Sequence, residues 1–182
     1  TEPRRNDFTN GSGFYVKVRE DNIKNITITF NPTIALDLNK CTESRGYYEC
    51  YIDLNLIAYN DQEISYYFDV EDVARSKDES KPTTIKVDTL PPNITNSDSF
   101  YEIGTGRYLS YIYFDISITE INFDEVILSY DYRGRTREKR LCSRLRYGKC
   151  ETKFKLRDGY TNYQLIIRDD AGNAVVKPID FS

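Results

Sequence analysis

The chain contains an internal repeat, and this repeat limits the folds available to it more than any other feature. Cys41 and Cys50 precede a stretch of alternating apolar residues, and Cys142 and Cys150 precede a similar stretch in the second half. Further matching residues are Tyr66, Phe68, Val70 and Asp72 in the first half and Tyr163, Leu165, Ile167 and Asp169 in the second. A repeat of roughly 100 residues indicates tandem domains. We therefore expect two similar domains of about 90 residues each, a size that suits a small sandwich.

The apolar residues of both halves recur at every second position. Ile26, Ile28 and Phe30 alternate with Asn25, Thr27 and Thr29, and the clearest case in the second half is the alternation of Ile112, Phe114, Ile116 and Ile118 with Tyr111, Tyr113, Asp115, Ser117 and Thr119. This period places successive side chains on opposite faces of a β-strand. No stretch has the period of an amphipathic helix, so we predict an all-β fold in which each half is a β-sandwich.

Three segments are expected along the chain. Residues 1–12 carry charges, proline and glycine without alternation, which predicts a flexible lead-in. Residues 13–90 form the first sandwich and residues 91–182 the second, because Pro91 and Pro92 cannot donate to a sheet and favour an extended link.

The four cysteines form two close pairs, which predicts the local disulfides Cys41–Cys50 and Cys142–Cys150. The short intervening segments suit a hairpin or a short connection between sheets, unlike the long-range disulfide of antibody domains. Zinc would need four ligands at Cys-x2-Cys spacing, which the chain lacks. Paired cysteines are typical of an oxidising compartment, so we predict an extracellular or cell-surface location.

Composition argues against several function classes. The formal net charge is -4, which excludes a generally basic nucleic-acid-binding protein, and no histidine is present to act as a general base or metal ligand. Neither Gly-x-Ser-x-Gly nor Ser-x-x-Lys occurs. Adjacent acids, namely Asp169-Asp170, Glu71-Asp72 and Asp124-Glu125, lie at strand ends where charge is simply solvated. We predict no enzyme activity, no cofactor and no bound metal.

Calcium at the domain junction is the alternative that remains, with oxygen ligands from Asp88, Asn93 and Asp98 and from Glu71 or Asp72. The chain begins at Thr1 and contains no methionine, so we expect it to be a portion of a longer product. No apolar run reaches the length of about 18 residues that a membrane span needs.

A basic segment stands out on this acidic chain. Eight basic residues face one acid across residues 133–149, and they are Arg133, Arg135, Arg137, Lys139, Arg140, Arg144, Arg146 and Lys149. These charges either protect an exposed sheet edge from pairing with other chains or dock an acidic partner, with Tyr130, Tyr132 and Tyr147 available for stacking. Separately, Asn10, Asn25 and Asn93 begin glycosylation sequons.

Two motifs resemble the immunoglobulin-like repeats of bacterial and archaeal surface proteins. They are Leu156-x-Asp158-Gly159-Tyr160 leading to Asp169-x-Ala171-Gly172-Asn173, and Val87-Asp88-Thr89-Leu90-Pro91-Pro92. The first half departs from the pattern, with Asp72-Val73-Ala74-Arg75-Ser76 where the glycine turn is expected. The resemblance implies two tandem immunoglobulin-like (Greek-key) sandwiches and a rigid extracellular spacer or adhesion module.

The shared residues have structural duties. We expect Asp169 to accept from backbone N–H groups two or three residues on and Gly172 to adopt a positive φ. Tyr66 or Tyr163 is expected to bond nearby backbone as a tyrosine corner does.

We therefore predict a non-catalytic structural or assembly module, a spacer or stalk, of a cell-surface protein. Its partners are then other copies or domains of the same protein. The alternative is an adhesion or binding module that recognises an acidic partner or glycan through residues 133–149.

Overall fold

The structure is a computed structural model that describes residues 1–105 and 110–180. It divides into two compact units, Thr1–Leu90 and Pro91–Ser182, which we call the N-terminal and C-terminal domains. Strands form nearly all of the regular structure in the described residues, and the helical segments there are the single 3₁₀ turns Leu38–Lys40 and Ile57–Tyr59. Neither turn approaches the length and apolar character of a membrane-crossing helix.

The N-terminal domain is a sandwich of two sheets. Its strands are β1 (Phe8–Thr9), β2 (Phe14–Arg19), β3 (Ile23–Thr29), β4 (Thr33–Ala35), β5 (Thr42–Ser44), β6 (Tyr47–Ile52), β7 (Glu63–Asp72), β8 (Lys77–Glu79) and β9 (Thr83–Val87). One sheet has the order β1-β9-β7-β3-β4, with β8 paired to β7, and the other has the order β2-β6-β5. Only β1 is parallel to its neighbour, β9; the other pairs are antiparallel.

The C-terminal domain is a second sandwich. Its strands are β10 (Asn93–Ile94), β11 (Tyr101–Thr105), β12 (Ser110–Thr119), β13 (Phe123–Tyr132), β14 (Arg135–Cys142), β15 (Lys149–Lys155), β16 (Tyr160–Asp169) and β17 (Ala174–Pro178). In one sheet β12 lies between β10 and β11 on one side and β15 on the other, and the facing sheet has the order β14-β13-β16-β17. Hairpins join β13 to β14 and β16 to β17, while β14–β15 and β15–β16 cross between the sheets.

The two-residue alternation decides which side chains form each core. Ile26 and Ile28 are fully buried, whereas Asn25, Thr27 and Thr29 on the same strand are half-exposed. In the C-terminal domain Ile112 and Ile116 are fully buried in the same way. A fully buried side chain of this size contributes about 1.5–3 kcal/mol relative to an exposed one. The predicted fold class, all-β with β-sandwich domains, is confirmed.

The expected lead-in, residues 1–12, is instead paired with the first sandwich. Glu2 and Tyr15 form an antiparallel bridge with two N–H···O bonds of 2.9 Å, and β1 pairs with β9. The Tyr66 hydroxyl donates to the carbonyl oxygen of Pro3 at 2.5 Å. The segment lacks alternation because it is held by backbone bonds and by one buried tyrosine, and a periodic apolar face is not needed for either.

Both predicted cysteine pairs occur as disulfides, and their settings differ. Cys41 precedes β5 and Cys50 lies in β6, so this disulfide closes a hairpin within one sheet. Cys142 ends β14 and Cys150 lies in β15, so the second disulfide joins the two sheets of its sandwich. Cys50 and Cys150 are buried in the two cores. The short spacing predicted either a hairpin or a short connection between sheets, and one disulfide is found in each of these settings.

The Asp-x-Ala-Gly-Asn motif forms a turn that both domains share. The Asp169 carboxylate accepts the N–H of Asn173 at 2.8 Å, and the Asp72 carboxylate accepts the N–H of Ser76 at 2.8 Å. In both domains the donating N–H lies four residues after the aspartate, whereas a donor two or three residues on was expected. Gly172 has φ +88°, and Arg75 has φ +68° at the equivalent position. The first domain therefore differs from the motif in sequence but keeps the backbone geometry of the turn.

The loop that packs against this turn is repeated as well. The Glu20 carboxylate accepts the N–H of Asn22 at 3.1 Å, and the Asn22 carbonyl accepts a turn N–H at 3.0 Å. In the C-terminal domain Glu120 and Asn122 make the same two bonds, at 3.4 and 2.7 Å. The internal repeat thus extends to individual hydrogen bonds between loops that are distant in sequence.

Candidate partner-binding surface

The basic segment begins in a tight hairpin. Arg133 and Gly134 connect β13 to β14, and both have positive φ, +52° and +71°. Two central residues with positive φ define the type I′ turn, whose twist matches that of the flanking strands. The turn fixes the register, which places Tyr132 opposite Arg135 and Tyr130 opposite Arg137.

Strand β14 lies at the edge of its sheet, and its side chains alternate between two faces. Arg135 and Arg137 share one face with Lys139, which lies opposite Leu128. Thr136, Glu138 and Arg140 share the other face, because the register stays regular as far as the pair of Ile127 with Arg140. The predicted basic set is therefore divided by strand parity and does not form one continuous patch.

Four exposed or half-exposed residues form what we call the arginine groove: Tyr132, Arg133, Arg135 and Arg137. The groove has a volume of about 350 Å³. The Arg133 guanidinium lies 5.1 Å from the centroid of the Tyr132 ring. Within residues 1–105 and 110–180, none of the three arginines has a carboxylate within ion-pair distance. Their charges are therefore available to an external anion.

Arg140 has a different environment. Its guanidinium forms an ion pair with Glu125, a carboxylate that is only 7% exposed as a residue. Arg168 contacts the same carboxylate at 3.3 Å and reaches Glu138 at 3.9 Å. A buried charge left without a partner is strongly destabilising. Arg140, which was predicted to bind a partner, is therefore paired with Glu125 and is not part of the arginine groove.

Lys149 is also engaged within the domain. Its ammonium lies 2.9 and 3.1 Å from the two oxygens of Asp115 and 3.9 Å from Glu151. The hydrogen bond to Asp115 raises the pKa of Lys149, since it favours the charged form.

Arg144 and Arg146 lie outside the groove, in the segment closed by the Cys142–Cys150 disulfide. Arg146 bridges to Lys149 across a turn formed by Tyr147 and Gly148, with φ +53° and +74°. Tyr147 is 97% exposed at its tip. This is a second, separate basic hairpin.

Of the tyrosines expected to stack on a partner, Tyr130 is already occupied. Its ring stacks on Tyr160 with centroids 4.6 Å apart and on Tyr163 at 6.0 Å. Burial, followed by the neighbouring Tyr160, raises the pKa of Tyr130, while the charges of Arg137 and Arg157 act in the opposite sense. Tyr132 contacts Tyr160 edge to face at 5.0 Å and keeps a surface in the groove.

Arg157 is a basic residue outside the predicted basic set. Its charge acts on the Tyr130 hydroxyl together with that of Arg137, which lies in the arginine groove. It belongs to the turn between β15 and β16, more than fifteen residues from the hairpin along the chain. Only the pairing of β16 with β13 brings it to this end of the domain, so no local signal could have assigned it.

The three sequons lie in different settings. Asn10 is half-exposed and its side chain accepts from Ser12, Asn25 lies on β3 opposite Glu71, and Asn93 is exposed in β10. Glycosylation at these positions stays a prediction.

Among the acidic pairs considered for chemistry, Glu71 and Glu125 form ion pairs with basic residues. Glu71 binds Lys24 and lies 3.7 Å from Lys77, and the hydrogen bond from Lys24 lowers the pKa of Glu71. Burial, together with the nearby Asp124, raises the pKa of Asp170.

The carboxylates proposed for calcium are engaged in similar ways. Asp72 caps its turn, Asp88 accepts the N–H of Leu90 at 3.1 Å, and Asp98 accepts from Ser97 at 3.3 Å. Glu120 and Asp169 of the C-terminal domain bring carboxylate oxygens within 4.8 Å of each other, and both have other interactions. Calcium takes six to eight oxygen ligands, so this pair does not by itself define a site.

Neither protein-family models nor curated protein sequences match this chain. Its fold is similar to solved structures at 12% identity. The fibronectin(III)-like modules of Clostridium thermocellum CbhA match with a TM-score of 0.48 over 97% of this chain and 88% of that one. Bacillus subtilis pullulanase type I complexed with maltose matches with a TM-score of 0.31 over 97% of this chain and 25% of that one. A tetra-tandem repeat from the extending region of a large adhesion protein has a TM-score of 0.29, with coverages of 93% and 45%. Likeness at this level carries no functional argument.

Proposed function

We propose that this chain is a non-catalytic extracellular structural module, a spacer or stalk, whose partners are other copies or domains of the same surface protein. The observation that carries the proposal is the pairing of β1 with β9 in the N-terminal domain. These are its first and last strands, and they run parallel with Phe8 opposite Lys86 and Thr9 opposite Val87. Tension applied to the two ends of the domain therefore loads this pair in shear.

The shear contact is made of several backbone bonds that share the load. The N–H of Asn6 donates to Thr84 at 2.8 Å, that of Lys86 to Asp7 at 2.9 Å and that of Asp88 to Thr9 at 2.9 Å. Bonds loaded in shear must break together, whereas bonds at an open end break one after another. A domain with this arrangement suits a role in which its ends are pulled apart. The disulfide in each domain further supports an extracellular setting.

Single-molecule stretching of the intact oxidised chain tests this proposal. We expect one force peak for each domain, with contour-length gains near 3.3–3.6 Å for each released residue. A chain lacking residues 1–9 should lose most of the N-terminal peak, while the C-terminal peak serves as an internal control. Extension of the intact N-terminal domain without a force peak would contradict a spacer role.

A second candidate function is recognition of an acidic partner or glycan by the arginine groove. It is favoured by the contrast between Arg140 and Lys149, which have carboxylate partners, and Arg133, Arg135 and Arg137, which have none among the described residues. A guanidinium presents a planar pair of donors that matches a carboxylate or sulfate group, and Tyr132 adds a stacking surface. The same charges also protect the exposed edge of β14 from pairing with other chains. Anion binding and edge protection predict different results when these arginines are replaced.

Retention on immobilised heparin distinguishes them. The double variant Arg135→Ser/Arg137→Ser should elute at clearly lower salt than the wild type, because it loses two unpaired charges in the groove. Lys153→Ser/Lys155→Ser, on β15 of the same domain, is the control with the same change in net charge. Equal loss by both variants would indicate a non-specific charge effect, and aggregation of the arginine variant without any lost retention would favour edge protection.

A further inference from the structure

The outer face of the sheet β14-β13-β16-β17 contains a polar groove that is separate from the arginine groove. Its volume is about 720 Å³, and residues of all four strands or their ends line it, including Ser129, Asp131, Thr136, Asn162 and Gln164. None of the described residues that line it is lysine or arginine. The two grooves use opposite faces of one hairpin, since Thr136 lies between Arg135 and Arg137 on β14.

A β-bulge shapes this polar groove. The register between β13 and β16 shifts between Ser129 and Asp131, and Asn162 on the bulged strand has φ +52°. The Asn162 amide donates to one Asp131 oxygen at 2.7 Å, and the Thr136 hydroxyl donates to the other at 2.8 Å. Bulges commonly redirect side chains next to binding sites. Here the bulge and the hairpin together hold the Asp131 carboxylate in one orientation.

The fixed carboxylate remains ionised and keeps further acceptor capacity. The hydrogen bond from Asn162, followed by that from Thr136, lowers the pKa of Asp131. An ionised carboxylate offers about four lone-pair positions, of which the two bonds use one on each oxygen. The remaining positions face a groove that is open to solvent.

The rest of the lining combines polar side chains with apolar or aromatic residues such as Pro178 and Ile179. Gln164 is exposed opposite Ser129, and its amide can donate and accept at once. Tyr160 and Asp180 also line the groove. Two acidic residues without a lysine or arginine disfavour an anionic ligand, and the hydroxyl and amide groups among the lining residues disfavour a purely apolar one. Vicinal hydroxyl groups, each both donor and acceptor, match this set.

We propose that the groove of Ser129, Asp131, Thr136, Asn162 and Gln164 is a binding site for a neutral saccharide chain. Adjacent sugar hydroxyls donate to Asp131 and exchange hydrogen bonds with the Gln164 amide. Neighbouring strands lie about 4.7–4.9 Å apart, so a groove that crosses this sheet has room for more than one sugar ring. The module would then hold a neutral glycan on one face of the β13–β14 hairpin and present the arginine groove on the other.

Titration of the intact, ¹⁵N-labelled chain with cellotriose, maltotriose and mannotriose tests the proposal. At least one of these probes should cause saturable shifts in the side-chain amide signals of Asn162 and Gln164. Gln164→Ala should weaken this binding about fivefold, as expected for one net hydrogen bond, and Asp131→Asn should weaken it further. Arg135→Ser/Arg137→Ser should leave it unchanged, which also separates this site from the anion-binding proposal.

Three outcomes would overturn the proposal. The first is the absence of saturable shifts with all three trisaccharides at millimolar concentration, and the second is a set of shifts that Gln164→Ala does not alter. The third is saturable binding of spermidine in place of the saccharides, which would identify a site for cations. Because Gln164 is exposed and lies on one face of a strand, its alanine variant should fold, and its amide spectrum verifies this directly.

Discussion

Tyr66 and Tyr163 occupy equivalent positions in the two domains and are both almost fully buried, with exposures of 1% and 5%. Tyr66 does not make the short-range corner bond expected from the sequence, because its hydroxyl donates to Pro3, 63 residues away. Burial, followed by the charges of Glu2 and Asp7, raises the pKa of Tyr66. One phenol thereby fastens the N-terminal segment to the centre of the first sandwich.

Tyr66→Phe should release this segment while leaving the core filled. We expect the free energy of unfolding of the N-terminal domain to fall by about 1 kcal/mol, the net value of one hydrogen bond. Amide exchange at Tyr15, which bridges to Glu2, should accelerate more than exchange in β7. Tyr67→Phe, on the opposite face of the same strand, is the control. Unchanged exchange at Tyr15 in the Tyr66 variant would show that the backbone pairing alone holds the segment.

The buried Tyr163 should make the C-terminal domain less stable at alkaline pH. Burial, with Tyr160 and Tyr130 nearby, raises the pKa of Tyr163 to about 12, whereas an unfolded tyrosine titrates near 10. A raised folded pKa means that the folded state keeps its proton longer, so the contribution is complete below about pH 10 and is lost as pH rises toward 12. Urea unfolding of the C-terminal domain from pH 9 to 12 should show this decline. Tyr163→Phe should flatten the decline, and an equally steep decline in that variant would contradict the assignment.

Some strands and turns are determined by neighbouring residues, and others depend on contacts with residues distant in sequence. Alternation within β3 and β12 fixes which residues face each core, and X-Gly pairs with positive φ fix the β13–β14 turn and the Tyr147–Gly148 turn. The turn after β7 shows the limit of such signals. Arg75 adopts the positive φ that Gly172 adopts after β16, because the same hydrogen-bonded loop surrounds both residues.

Arg75→Gly should stabilise the N-terminal domain. A left-handed conformation costs a residue with a side chain roughly 1–2 kcal/mol, and glycine avoids this cost. Because glycine loses more conformational entropy on folding than arginine does, we expect a net stabilisation of about 0.5–1 kcal/mol. The reciprocal change, Gly172→Arg, should destabilise the C-terminal domain by a similar amount. Chemical unfolding of both variants measures the two effects. A destabilised Arg75→Gly protein would mean that the arginine side chain makes a contact more valuable than its backbone strain.

At the scale of the whole molecule, each domain contains a complete core and a local disulfide. The core of the first is built from Phe14, Tyr66 and Phe68 among others, and that of the second from Ile112, Leu128 and Leu165 among others. Closing a loop of the Cys142–Cys150 size contributes about 2.5 kcal/mol on the chain-entropy model. These features suit domains that fold without sharing a core.

Residues 1–90 and 91–182 should therefore each fold when expressed alone. We expect each fragment to give protected amides on its central strands, β7 in the first and β13 in the second, and non-reducing peptide mapping should give Cys41 with Cys50 and Cys142 with Cys150. The intact chain provides the reference for both measurements. A fragment that is unprotected while the intact chain is ordered, or a disulfide that crosses between the halves, would contradict independent folding.

The sequence by itself determined the features that depend on neighbouring residues. A period of two assigns the faces of strands such as β3, and close cysteine pairs limit the possible disulfides, because both depend on chain geometry over a few residues. From these the all-β sandwich class could be predicted, and composition alone located the basic segment at residues 133–149.

Only the tertiary structure decided which charges are free to bind. Glu125 meets Arg140 and Arg168, which are 15 and 43 residues away, whereas Arg135 and Arg137 meet no carboxylate among the described residues. The same holds for the bond of Tyr66 to Pro3 and for the bulge that brings Asn162 to Asp131. Such contacts depend on the register of strands distant in sequence, and the energy that selects a register is summed over both sheets of a sandwich, so no local pattern encodes it.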